Sequence, residues 1–219
     1  MRNIILKIQL KSLLIIRFLK QMTNIINFLK QKSIAYAVLK GAHDKESYLY
    51  ESVGFKKDLD LVLNCKKDDV FSFLIADNNF KYLGDNSFLD IENDLRVDLY
   101  FKTLNVGYYH FLKIDNQDFL TKEISESAYI IYQILDPLLK FSKYHNRHQY
   151  RLKKYFSNTI PKEVEDCLKE IIGKKLANKL LENISNSNFD IKSIFIKKCK
   201  LNMLLINGNF VNMIKSRIF

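Results

Sequence analysis

Two prolines and six glycines in 219 residues leave few places where the chain can turn sharply or take left-handed backbone, so long regular elements are expected. Cysteine is equally scarce. Cys65, Cys167 and Cys199 are odd in number, far apart and without paired spacing, which indicates neither a zinc knuckle nor a disulfide framework and fits a reducing, cytoplasmic setting. Acidic residues are missing from whole stretches: none precedes Asp44, none lies between Asp136 and Glu163, and none follows Asp190. A long apolar run is also lacking. Lys7, Lys11, Arg17, Lys20 and Lys30 interrupt the apolar clusters of residues 2–32, well short of the roughly 20 residues a membrane-spanning helix needs. No small-residue cleavage site follows those clusters, which argues against a secretory signal.

What is present is a chain that is 47% hydrophobic and 13% aromatic, enough to bury a sizeable core in one domain or two small ones. The net charge is +11 and the pI about 9.4, with the acids crowded into the middle. A basic rim around an acidic centre suits a polyanion held through a metal ion, either nucleic acid or a nucleoside triphosphate. The abundance of Ile, Asn and Lys also resembles the product of an AT-rich genome, so charge alone does not choose.

The periodicities predict amphipathic helices over residues 1–32, with an amphipathic membrane-surface helix as the alternative there. A strand from Ser33 to Lys40 follows, then a helix from His43 to Val53 closed by Gly54. Lys57–Leu63 reads as a strand, and Asp68 and Asp69 open a helix through Ile75. Phe80 to Leu83 and Phe88 to Ile91 flank a turn at Gly84-Asp85-Asn86. Leu95–Phe101 is a strand, and Val106 to Ile114 adds another at the sheet edge. After Asp118 the pattern is helical, from Ala128 to Tyr144 with a kink or break expected at Pro137. Pro161 then opens a helix through Ile172, Lys174 to Ile184 continues, and a last basic helix starts at Ile191. The expectation is an α+β protein, with a mixed-sheet core over residues 33–116 and a basic helical region over 117–219.

Within Lys57–Leu63, side chains alternate between faces, so Asp58 and Asp60 share one face and Leu59, Leu61 and Leu63 the other. Their carboxylates would then stand roughly 6–7 Å apart along one strand. Aspartate is depleted in strands, so two at alternate positions need a reason, and a bound cation is one. In Leu95–Phe101 the apolar residues alternate with Arg96, Asp98 and Tyr100. If this strand lies beside the first with a shared core, Asp98 joins Asp58 and Asp60. The opposing interpretation is two half-exposed strands with polar faces in water, where Lys56, Lys57 and Arg96 serve as ion partners. Upstream, Tyr36 to Lys40 ends at Gly41-Ala42, where a glycine admits close approach and the helix start at His43 suits phosphate.

The order of strand, glycine turn, helix, Asp-x-Asp and a later lone Asp resembles the nucleotidyltransferase fold of the DNA polymerase beta superfamily. Leu39-Lys40-Gly41-Ala42 with Asp58-Leu59-Asp60-Leu61-Val62 is most similar to bacterial nucleotidyltransferases whose strand reads Leu-Lys-Gly-Ala, over about residues 20 to 115. The resemblance implies a nucleotidyltransferase core that moves a nucleoside monophosphate from an NTP to a hydroxyl of a small molecule, sugar or protein, with a nucleic-acid acceptor such as an RNA 3′ end also open. Asp58, Asp60 and Asp98 would be the catalytic and metal-holding acids for Mg2+ or Mn2+, and Lys40, Gly41, Ala42 and His43 the nucleotide-binding turn. Arg147, His148, Arg151 and Lys154, interleaved with aromatics, are the candidate acceptor contacts. Ala42 stands where Gly or Ser is commoner, and the interval from Gly41 to Asp58 is longer than usual. These departures support an alternative: a catalytically silent module of the same fold that binds nucleotide or nucleic acid.

Overall fold

The computed structural model describes residues 23–39, 57–106, 109–156 and 160–206. The expected helix over 43–53, the glycine turn and most of residues 1–32 lie outside them. The architecture is α+β, and the chain divides into two compact units, Met1–Phe101 and Lys102–Phe219.

In the first unit, helix α1 (Thr23–Gln31) precedes strands β1 (Tyr36–Val38) and β2 (Lys57–Leu63), then helix α2 (Asp68–Ala76). Strands β3 (Phe80–Gly84), β4 (Ser87–Asp90) and β5 (Leu95–Phe101) complete it. The five strands form one mixed sheet in the order β1-β2-β5-β4-β3. β2 and β5 run parallel at its centre, and every other pairing is antiparallel.

Alternation decides which face is buried. Leu59, Leu61 and Leu63 of β2 and Leu95, Val97 and Leu99 of β5 pack with Ile25, Phe28 and Leu29 of α1 and with Val70, Phe71 and Leu74 of α2. Full burial of each large side chain contributes about 1.5–3 kcal/mol, so this face sets the register: a slip by one residue would turn the aspartates of β2 inward. Phe71 meets Phe88 edge-on at 5.0 Å between ring centroids, tying α2 to β4.

Local chemistry fixes the ends. α1 closes in a Schellman turn, with Ser33 at φ 54° and the Ile34 N–H donating to the Leu29 carbonyl at 2.9 Å. The β3–β4 hairpin turns through Gly84 at φ 109° and Asp85 at φ 50°, and glycine is needed there for its dihedral rather than for space. Asp90 is buried and structural, accepting from Asn24 Nδ2 at 3.3 Å and Asn93 Nδ2 at 3.0 Å.

The second unit opens with β6 (Thr103–Val106) and β7 (Tyr109–Lys113), which pair with each other as a two-stranded sheet. The strand expected over Val106 to Ile114 at the edge of the main sheet is therefore corrected to one arm of a separate hairpin. Lys102, at φ 61°, breaks the chain direction after β5.

Six helices follow: α3 (Asn116–Thr121), α4 (Glu126–Phe141), α5 (Asn146–Tyr155), α6 (Lys162–Ile172), α7 (Lys174–Ser185) and α8 (Ser193–Ile206). α4 is buried from Ala128 to Leu139 and forms the axis of the unit. It runs unbroken through Pro137, against the expectation of a kink or break. Pro137 brings no N–H to the Gln133 carbonyl, a cost of about 3 kcal/mol that the burial of the surrounding turns outweighs. The Tyr144 hydroxyl donates to the Ile134 carbonyl at 2.8 Å, supplying a donor to the same stretch of helix. Among the described residues no helix is long and apolar enough to cross a membrane.

Candidate functional site

The parallel pairing of β2 and β5 sets Asp58 opposite Arg96, Asp60 opposite Asp98 and Val62 opposite Tyr100. Neighbouring strands lie about 4.8 Å apart. Because the odd-numbered residues of both strands fill the core, Asp60, Arg96 and Asp98 belong to the opposite face. Asp60 is 2% exposed, an unusual place for a carboxylate.

Asp98 sits between Asp60 on β2 and Ser87 on β4, its partner in the antiparallel ladder. Its Oδ1 accepts from the Ser87 hydroxyl and from Arg96 Nε at 3.0 Å. Arg96 Nη2 also donates to Ser87 Oγ at 3.1 Å, closing a three-membered network. The Arg96 side chain is 42% exposed and that of Asp98 20%, so solvent screens the ion pair and its role is to orient the carboxylate. The sequence named Arg96 as an ion partner; it did not single out Ser87.

Asp58 lies on β2 two residues before Asp60, but its side chain is outside the described residues, as are Lys40, Gly41, Ala42 and His43. The described residues reach Leu39. Leu39 donates its N–H to the Asp60 carbonyl at 3.0 Å, so the residue before Lys40 is held against the strand of the aspartates.

Carboxylate oxygens on adjacent strands are the donor class that Mg2+ and Mn2+ prefer. Asp60 and Asp98 meet that chemistry as a pair. No group of three His, Cys, Asp or Glu side chains suited to a metal occurs among the described residues.

The basic positions on α5 divide. Arg147 and Lys154 are exposed and Arg151 is half-buried, whereas His148 is buried. Its Nδ1 accepts from the His145 N–H at 3.3 Å, closing the start of α5. The helical phase that pairs His148 with buried Leu152, four residues on, carried that information in the sequence. An open groove of about 480 Å³ in this unit is lined by Lys143, Tyr144, Gln149 and residues 187–190; it contains none of the aspartates above.

In comparison with known proteins, the chain matches no family model, no curated protein and no solved structure.

Proposed function

We propose that this chain is a Mg2+-dependent nucleotidyltransferase, with a nucleotidyltransferase core followed by a basic helical region, that moves a nucleoside monophosphate from an NTP to a hydroxyl acceptor. The observation that carries the reading is the in-register placement of Asp60 and Asp98 on neighbouring parallel strands. The anchoring of Leu39, the residue before Lys40 in the sequence, on the Asp60 carbonyl adds to it.

In this reading Asp58, Asp60 and Asp98 hold the metal. Mg2+ or Mn2+, when bound, supplies the positive charge that neutralises a triphosphate and acidifies a hydroxyl. Lys40, Gly41, Ala42 and the helix start at His43 bind the phosphates through backbone N–H groups and one ammonium. Asp98, aimed by Arg96 and Ser87, accepts the proton of the attacking hydroxyl as the α-phosphate is attacked in line and pyrophosphate departs. The acceptor is a small molecule, a sugar or a protein hydroxyl.

The test is calorimetric titration of each NTP into protein with Mg2+, alongside pyrophosphate release. Asp60→Asn is expected to weaken Mg2+-dependent NTP binding by at least about tenfold. The proposal fails if no NTP binds in Mg2+ and if Asp58→Ala and Asp60→Asn leave melting with metal unchanged.

One observation favours a second reading. Both contacts to Asp98 fall on Oδ1 and one is from a cation, as in a silent module that binds nucleotide without chemistry. Nucleotide binding that survives both EDTA and Asp60→Asn would select it.

A further inference from the structure

Helix α8 is apolar on two sides. Inward, Phe195, Ile196, Cys199, Met203 and Leu204 are buried. Outward, Ile194, Leu201 and Leu205 are 61%, 52% and 61% exposed, where a surface helix ordinarily carries polar residues. At about 100° per residue these three lie within about 40° of one another around the axis, in a stripe about 16 Å long. They are therefore not single apolar residues scattered over a surface.

Lys198 falls on the same stripe and Lys197 at its edge, both exposed. Ile194, Lys198, Leu201 and Leu205 follow one another at intervals of four, three and four residues, the spacing of d, a, d and a in a heptad, with Lys197 at g. A seam of this kind is the width that one further helix covers, narrower than the apolar face a helix lays on lipid. Charge then separates the candidate helices. α8 holds no acid, and neither Lys197 nor Lys198 has an ion pair or hydrogen bond among the described residues. A second copy would bring two more lysines and no acid to the seam. Residues 1–22 and 207–219 hold no acid either.

We infer that the outward stripe of α8 docks one amphipathic helix of an acidic partner protein, whose apolar side chains pack between Ile194, Leu201 and Leu205 and whose carboxylates face Lys197 and Lys198. Each lysine then lays its stem along the apolar seam and carries its ammonium to an acid at the rim. The acids opposite also give the seam its specificity, since a basic or neutral helix of the same shape would leave both ammonium groups uncompensated beside buried apolar surface. The inference uses none of the acids at 58, 60 and 98 and stands apart from the nucleotidyltransferase reading.

The experiment is fluorescence anisotropy of a labelled synthetic peptide of about three heptads, with Leu at a and d and Glu at e and g, titrated with full-length protein. Repulsion among its own glutamates keeps this peptide from pairing with itself. Ile194→Ser/Leu201→Ser should weaken binding by at least about tenfold. Lys197→Glu/Lys198→Glu should lose the Glu peptide and gain a version with Lys at e and g. Circular dichroism melts check that these surface variants fold, and Asp60→Asn should bind the peptide as the parent does, which separates this result from failure of the catalytic reading. Absence of binding to the Glu peptide would overturn the inference, as would affinities within about twofold of the parent for both double variants. So would a dimer in sedimentation that Leu201→Ser disperses, which would assign the stripe to a second copy. Flotation with phosphatidylserine vesicles that Ile194→Ser/Leu201→Ser abolishes, while the peptide does not bind, would overturn it in favour of lipid.

Discussion

Replacing Tyr144 by Phe tests how the start of α5 is held to the axis of its unit. The side chain is buried, its hydroxyl donates to the Ile134 carbonyl at 2.8 Å, and its ring meets Phe189 edge-on at 5.7 Å. Phenylalanine keeps the ring and opens no large cavity. The loss is one buried hydrogen bond, the second on a carbonyl that keeps its helical donor, at a cost of about 1 kcal/mol. Burial also pushes the Tyr144 phenol well above its ordinary 10.0, with a further push from Cys199. A group whose pKa is raised in the folded state contributes stability that is complete below the unfolded value and is lost as pH rises beyond it. Above pH 10 the wild type should therefore lose up to about 1.4 kcal/mol per pH unit through this group, and the Phe variant should not. Urea unfolding followed by circular dichroism between pH 7 and 11 reads both effects. The wild-type advantage should hold up to about pH 9.5 and shrink by about 1.4 kcal/mol by pH 11. A difference that stays constant over the whole range would refute the assignment.

The thiols should react in an order set by burial. Cys65 is half-buried, burial raises Cys167 to about 11, and burial raises Cys199 to about 12. A colorimetric disulfide reagent at pH 8 should label Cys65 first and reach Cys199 only on unfolding. Leu61→Ala, at a fully buried position of β2, should cost about 2–5 kcal/mol in urea unfolding; a loss under about 1 kcal/mol would mean that the β2 register is not what holds the sheet.

Much of the first unit was legible because two signals coincided. β5 alternates strictly and β2 does so up to Leu61, and the same odd-numbered apolar residues that make the pattern also fill the core. What the sequence could not state was which strand lies beside which. Ser87 fell between the turn ending at Asn86 and the strand expected from Phe88, and only the order β2-β5-β4 brings its hydroxyl to Asp98. The hairpin of β6 and β7 illustrates the same limit, since alternation identifies a strand but not its sheet. Pro137 failed as a breaker because local propensity, about 3 kcal/mol, competes with a helix buried on every side. His148 was grouped with its basic neighbours by composition, where phase along α5 would have placed it inward with Leu152.

The two aspartates that face one another across the sheet are separated in the chain by α2, β3 and β4. During synthesis, at about 5–20 residues per second, the nascent chain must extend to Phe101 before β5 can dock beside β2. Until then the growing polypeptide exposes β2 with one flank unpaired, and this strand has an aliphatic face suited to misassociation between ribosomes on the same message. The seam between β2 and β5 is therefore the step at which this unit becomes both safe from aggregation and competent to bring its carboxylates together.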